Sequence, residues 1–228
     1  MKTIYLPLLA ALLAPLAQAA GPVRPGEAYC GQLANAYGPF DYRITKGGEL
    51  NLVERAHFTE AVERGEAGNT GTLGGDLDYT LRAFPNHARA LTTLLTLARR
   101  QGNKPVHGLQ RPMECYFERA VRFQPEDSAA WMLYAQFLYL KGQSERALPM
   151  LETAHQLEPD NATVAYNLGL AYARQNNYTA ALPLAQQAYR AGFPLPGLKQ
   201  MLQHAGHWQE PEPAPAEPAA EAAPPAQP

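Results

Sequence analysis

The sequence predicts an all-α chain, a solenoid of stacked helical hairpins with a capping helix and an irregular N-terminal segment. Three observations carry this. Apolar residues recur at i, i+3, i+4 and i+7 through most of residues 86–204, the stripe of a helix packed on one face. Short polar turns such as Lys141-Gly142-Gln143-Ser144 and Gln175-Asn176-Asn177 separate the stripes, and Pro125, Pro159 and Pro194 close them. Finally, the pattern repeats at a fixed period.

Trp131, Tyr134, Ala135 and Leu138, then Ala147, Leu151, Ala154 and Pro159, mark one hairpin. Thirty-four residues later the same slots hold Ala165, Leu168, Gly169 and Tyr172, then Ala181, Ala185, Ala188 and Phe193, with Pro194 one place late. Small residues stand where the two helices of a hairpin must approach closely. This pattern resembles the tetratricopeptide repeat, whose slots are W-x2-L-G-x2-Y, A-x3-F and a closing proline. The resemblance spans 128–194 most closely. A degenerate copy covers 86–127, where Leu91, Leu94, Leu95 and Ala98 make a first-helix stripe and Met113, Phe117, Ala120 and Pro125 a second. Its connecting loop, Gln101 to Pro112, is about six residues longer than the repeat requires. A fainter unit has Leu73, Leu77, Thr80 and Pro85 in its second helix and Leu52 to Arg64 as the partner. Residues 196–204, with Leu198, Met201 and Leu202 on one side, suit a capping helix. The reading is therefore three to four repeats, since a lone hairpin cannot bury its own apolar face.

The ends have other jobs. Residues 1–19 read as a signal peptide: Lys2, a short apolar run to Leu16, then Ala17-Gln18-Ala19 as a cleavage site. The run is too short to span a bilayer, which takes about 20 residues. A periplasmic or secreted protein is expected. Residues 20–50 do not follow the repeat. Their stretch from Ala36 to Arg43, with Gly38-Pro39 inside it, predicts an ordered loop or an extended strand and not a helix, and its aromatics need burial. The repeat domain is set at 51–208. Residues 209–228 are Glu, Pro, Ala and Gln, with nothing to bury, and are expected to be disordered.

Without the signal and tail, 18 basic residues face 17 acidic ones. That balance gives no case for a nucleic-acid partner or an anionic membrane surface. Cys30 and Cys115, an even pair in an exported chain, predict a disulfide that clasps the N-terminal segment to the helical body and adds roughly 4 to 5 kcal/mol in the chain-entropy model. A reactive thiol would want a CxxC spacing, which is absent.

No phosphate loop, nucleophile elbow or paired metal motif occurs, so no cofactor or metal is expected. Asn69 to Gly75 lacks the Lys-Ser/Thr that grips a phosphate and reads as a loop. His204 and His207 read as solvated side chains. Asn161 and Asn177 begin glycosylation triplets, yet stand where helix starts want caps. An enzyme, or an accessory subunit of one, is the alternative function. It would rest on His57 and His87 beside Glu54, Glu60, Asp76 and Asp78. The principal reading is a non-enzymatic scaffold for protein–protein interaction. The resemblance implies a groove lined by the first helix of each hairpin, which maps to Met132, Gln136, Tyr139, Tyr166, Asn167, Leu170 and Arg174. Family members that clamp a terminal carboxylate use Lys, Arg and Asn, and only Asn167 matches that set. An apolar-aromatic contact with a peptide segment is thus expected, unless these side chains merely pack on a neighbour such as the N-terminal aromatic loop. Partner identity and oligomeric state are not legible.

Overall fold

The computed structural model describes residues 25–102 and 104–210. The expected signal peptide and most of the Pro/Ala/Glu tail lie outside the described residues. Eleven helices are described and no strand: α1 (Pro25–Cys30), α2 (Gly48–His57), α3 (Glu60–Glu63), α4 (Leu73–Ala83), α5 (Ala88–Gln101), α6 (Met113–Phe123), α7 (Ser128–Leu140), α8 (Ser144–Leu157), α9 (Ala162–Arg174), α10 (Tyr178–Arg190) and α11 (Gly197–His204).

The hairpins are α5/α6, α7/α8 and α9/α10, stacked in chain order, with α4 ahead of them as the second helix of the faint first unit. One start signal is used repeatedly. Pro85, Pro125 and Pro159 each stand two residues before an N-cap, and the cap side chain accepts a backbone N–H of the new helix. His87 Nδ1 accepts from Ala90 at 3.1 Å, Asp127 Oδ1 from Ala130 at 3.2 Å, and Asn161 Oδ1 from Thr163 and Val164 at 3.0 and 3.2 Å. Each bond satisfies a donor that the first helical turn would leave orphaned. Asn177 caps α10 in the same way.

The core runs continuously from α3 to α11. Its close approaches are made by the small residues of the repeat: Ala135, Ala147, Ala165 and Ala181 are wholly buried. A Cβ on Gly169 would lie 2.8 Å from Leu198 Cδ2 and 3.2 Å from Leu184 Cβ, which is why α9, α10 and α11 can meet there. The partner expected for α4 is not a single helix. The Leu52 to Arg64 stretch breaks at Phe58 and Thr59 into α2 and α3, because Phe58 turns into the core and Thr59 restarts the chain in an extended conformation.

Of the described residues in the N-terminal segment, Pro25–Cys30 form α1, residues 31–47 are loop, and the last three open α2. Cys30 and Cys115 form a disulfide. On α6 the residues one and two turns beyond Cys115 extend the same clasp. Arg119 is buried and donates to the carbonyls of Cys30, Gly31 and Gln32, and Arg122 donates to Gly31 O at 2.8 Å. Burial lowers the Arg119 pKa to about 10. Its charge is met by the carbonyls at and just beyond the C-terminal end of α1, a helix end that suits a cation. The aromatic stretch docks at the α4–α5 turn. Phe40 N–H donates to Ala83 O at 2.8 Å, Tyr42 N–H donates to Asn86 Oδ1 at 3.0 Å, and Asn86 Nδ2 bridges Asp41 and Asp127 at 2.7 and 2.8 Å. Tyr37, Phe40 and Tyr42 bury themselves against Phe84 and Val53.

Candidate functional site

The first helices α5, α7 and α9 all contribute side chains to one groove of about 730 Å³. Six of the seven residues mapped from the repeat line it: Gln136 and Tyr139 from α7, and Tyr166, Asn167, Leu170 and Arg174 from α9. Met132 is not among the lining residues. It sits half-buried with its sulfur 3.7 Å from Asn167 Nδ2, so it supports the wall from behind. The aromatic N-terminal loop does not enter the groove, since its rings are spent at the α4–α5 turn.

Part of the lining is already satisfied. Gln136 Nε2 donates to Asn167 Oδ1 at 3.3 Å, and Asn167 Nδ2 donates to Thr163 O at 2.7 Å. Tyr166 is mostly buried and stacks on Phe193 with ring centroids 4.2 Å apart. These side chains fix the wall's shape. The rest of the surface has unused capacity. The Tyr139 hydroxyl is buried with no hydrogen-bond partner among the described residues, and burial raises its pKa. The Arg174 guanidinium lies over the Tyr139 ring at 5.6 Å, a cation–π contact. Leu140 and Leu195 at the edges are 41% and 55% exposed, large for leucines that flank one cavity.

Sequence reasoning missed Arg99, Leu140, Leu151, Thr163, Phe193 and Leu195 in this lining. Arg99 had a signal: it follows Ala98 of the α5 stripe as Tyr139 follows Leu138. No Asp or Glu lines the groove, and neither Arg99 nor Arg174 has a carboxylate within ion-pair distance among the described residues. The lining thus mixes apolar and aromatic side chains with the polar Gln136, Thr163 and Asn167, and its charged side chains are the two arginines.

The two histidines of the alternative function take separate carboxylate partners. His57 Nδ1 donates to Asp76 Oδ1 at 2.8 Å, and the ring stacks on Tyr79 at 3.9 Å. Asp76 also accepts from the backbone of Asn69 and Thr70, so it ties the Gly-rich loop to α2. His87 is wholly buried. With Nδ1 occupied as the α5 cap, Nε2 carries the proton and donates to Glu54 Oε1 at 3.1 Å. Burial lowers its pKa to about 3, and Arg89 adds to the effect. His87 is therefore a neutral structural cap over the pH range of ordinary acid–base chemistry. His207 stacks on Tyr178, and His204 lies 2.8 Å from Gln200 O. Among the described residues no group of three or more His, Cys, Asp and Glu gathers to hold a metal, and no helix is long and apolar enough to cross a membrane.

A tetratricopeptide-repeat family model matches residues 115–149 and 141–194. No curated protein matches the chain. Among solved structures, the MamA RS-1 ArsTM double mutant is 18% identical over 56% of this chain, with a TM-score of 0.41. The chain spans 65% of that protein, just under two thirds of its length. TTC0263, a thermophilic repeat protein of Thermus thermophilus, is 19% identical over 59% of this chain and 74% of its own, with a TM-score of 0.45. MamA MSR-1 C2 is 15% identical over 66% and 79%, with a TM-score of 0.41. By the family model that matches them, and by the small residues that let their hairpins pack, residues 115–194 are tetratricopeptide repeats.

Proposed function

We propose that this chain is an exported scaffold for protein–protein interaction that holds an extended segment of a partner in the α5/α7/α9 groove, and so assists assembly or secretion of that partner. The observation that carries the reading is the groove's composition. Leu140, Leu170 and Leu195 offer apolar contact, Tyr139 offers a ring, and among the described residues its hydroxyl has no hydrogen-bond partner and Arg99 and Arg174 have no acidic partner. Aromatic and arginine side chains of this kind carry most of the binding energy in protein interfaces. Export is supported by the signal-like residues 1–19 and by the Cys30–Cys115 bridge, a bond that persists in oxidising compartments.

The test is partner capture with the full chain and with Leu140→Glu/Arg174→Glu. Both residues are exposed, so the variant should keep its fold, checked by its helical circular dichroism. A defined partner recovered by the native chain and lost with the variant supports the groove; a partner set unchanged by the variant refutes it. Fractionation with mass spectrometry of the mature N-terminus tests export, with a start near Ala20 expected.

A further inference from the structure

The groove carries Arg99 from α5 and Arg174 from α9, no acidic residue, and a mixed apolar and polar floor, and the same sequence carries a segment of matching chemistry. Beyond Trp208 the chain reads Gln-Glu-Pro-Glu-Pro-Ala-Pro-Ala-Glu-Pro-Ala-Ala-Glu, with Glu212, Glu217 and Glu221 set among Pro and Ala and no basic residue. We propose that residues 211–228 are an internal ligand of the groove: an acidic, proline-rich segment that lies across α9 and α7 toward α5, pairs its glutamates with Arg174 and Arg99, and competes with the partner. This rests on the groove being the partner site.

The last described residues place the start of that segment beside the groove. Trp208 packs edge-on against Tyr189 with ring centroids 5.7 Å apart. The Tyr189 hydroxyl donates to Leu195 O at 2.9 Å, and Leu195 is a groove residue. Lys199 lies over the Trp208 ring at 4.8 Å and pairs with Glu210 at 2.9 Å, while Gln186 Nε2 donates to Gln209 O at 3.0 Å. The chain is therefore held as far as Glu210, one aromatic ring from the groove's edge.

Reach and conformation fit as well. Proline-rich sequence favours the polyproline II helix, which rises about 3.1 Å per residue, so a segment of this length can reach up to about 56 Å. Adjacent packed helices lie about 10 Å apart, so crossing from α9 to α5 needs about 20 Å. A segment pre-extended by proline loses less conformational entropy on docking, and its small Ala side chains suit a shallow floor. The backbone carbonyls of such a helix are unbonded and face outward, which gives the Tyr139 hydroxyl an acceptor.

The experiment measures a labelled peptide of residues 209–228 against three chains, by fluorescence anisotropy at low salt and at about 0.5 M salt. The first chain ends at Glu210, the second is intact, and the third ends at Glu210 and carries Arg99→Glu/Arg174→Glu. Binding to the first chain is expected, and it should weaken with salt. A tethered segment has an effective concentration on the order of 1 mM, so against a dissociation constant of about 100 μM the intact chain should bind the peptide about tenfold more weakly. The third chain should lose binding, and a peptide with Lys at positions 212, 217 and 221 should bind it instead. Both arginines are exposed, and an unchanged melting temperature guards against misfolding. No binding to the first chain, equal binding to the first and intact chains, or binding untouched by the arginine reversals would overturn the proposal. The two readings fail separately. Loss of partner capture in the groove variant together with no peptide binding keeps the groove and removes the internal ligand, whereas peptide binding together with unchanged partner capture places the partner elsewhere.

Discussion

His87 ties the stability of this fold to pH. Its ring lies between Tyr42 and Phe58, with centroids 4.0 and 4.7 Å away, and both nitrogens are committed, Nδ1 to the Ala90 N–H and Nε2 to Glu54. Protonating Nδ1 would abolish the α5 cap and put a buried cation near Arg89. The folded chain therefore holds the imidazole neutral down to about pH 3, while the unfolded chain takes up the proton near its ordinary value of 6.5. Between those values the unfolded state binds more protons. Stability from this group is complete above pH 6.5 and is lost as pH falls toward 3. The slope is about 1.4 kcal/mol per pH unit, so about 2 kcal/mol disappears between pH 7 and pH 5. That is a large share of a typical domain's roughly 5 to 15 kcal/mol. Asp41, held down to about 2 by Arg43, and Glu63, held low by Arg89, lose their contributions only at lower pH. The assay is urea unfolding at both pH values for the native chain and for His87→Asn, which keeps a capping oxygen but cannot titrate. Asparagine also loses ring packing, so the comparison is between the two pH differences and not the absolute stabilities. The native chain should lose about 2 kcal/mol more than the variant over that interval. Equal losses would refute the assignment of His87 as a buried neutral cap.

Three further outcomes follow from the packing. Removing the disulfide by Cys30→Ser/Cys115→Ser opens a loop of 85 residues' separation and should cost about 4 to 5 kcal/mol, read by urea unfolding, with α1 becoming accessible to protease while the repeats keep their helicity. Gly169→Val pushes carbon into Leu198 and Leu184 and should cost about 1 to 3 kcal/mol, seen as a melting temperature lowered by several degrees. Tyr116→Phe removes the hydroxyl that donates to buried Asp78 at 2.5 Å and accepts from the Gln110 N–H at 3.2 Å; Asp78 keeps Arg82 at 2.8 Å and Arg111 at 3.4 Å, so the loss should be about 1 kcal/mol, again by denaturant unfolding.

How legible each part was depends on whether its physics is periodic. Trp131 to Pro159 and their copies could be read because a hairpin's contacts recur at fixed slots, and the slots demand small or apolar residues whatever their neighbours. The second helix of the first unit was legible from Leu77 and Pro85 for the same reason. Its partner was not, because the break at Phe58 depends on one ring finding the core, an event without a period. Arg119 reads in the sequence as a surface cation on an amphipathic helix. Its partners are backbone carbonyls of residues 30–32, which leave no trace in side-chain identity. Asn86 likewise reads as an ordinary turn residue, although its side chain joins the N-terminal loop to Asp127, the cap of α7. In the groove, α7 and α9 supplied the residues that the repeat could map. Phe193 and Leu195 come after the last hairpin, where the period has ended.

The two ends of the stack bear on where function lies. A solenoid exposes its terminal hairpins unless something covers them. Here α1, the disulfide and the docked loop of residues 37–45 cover one end, with Arg119, Arg122, Asn86 and Asp41 absorbing polar groups that would otherwise face the core. At the other end α11 buries Leu198 and Leu202, and Trp208 closes over Tyr189. Tyr29, Ile44, Leu52 and Leu157 are exposed one by one on separate elements, as single apolar residues commonly are. Leu140 and Leu195 differ because they flank the same cavity, beside arginines that lack acidic partners among the described residues. Among the described residues both ends of the stack are covered, while apolar surface and arginines without acidic partners share one face, which supports the proposed groove. Docking through the groove therefore explains this surface better than polymerisation through the ends of the solenoid.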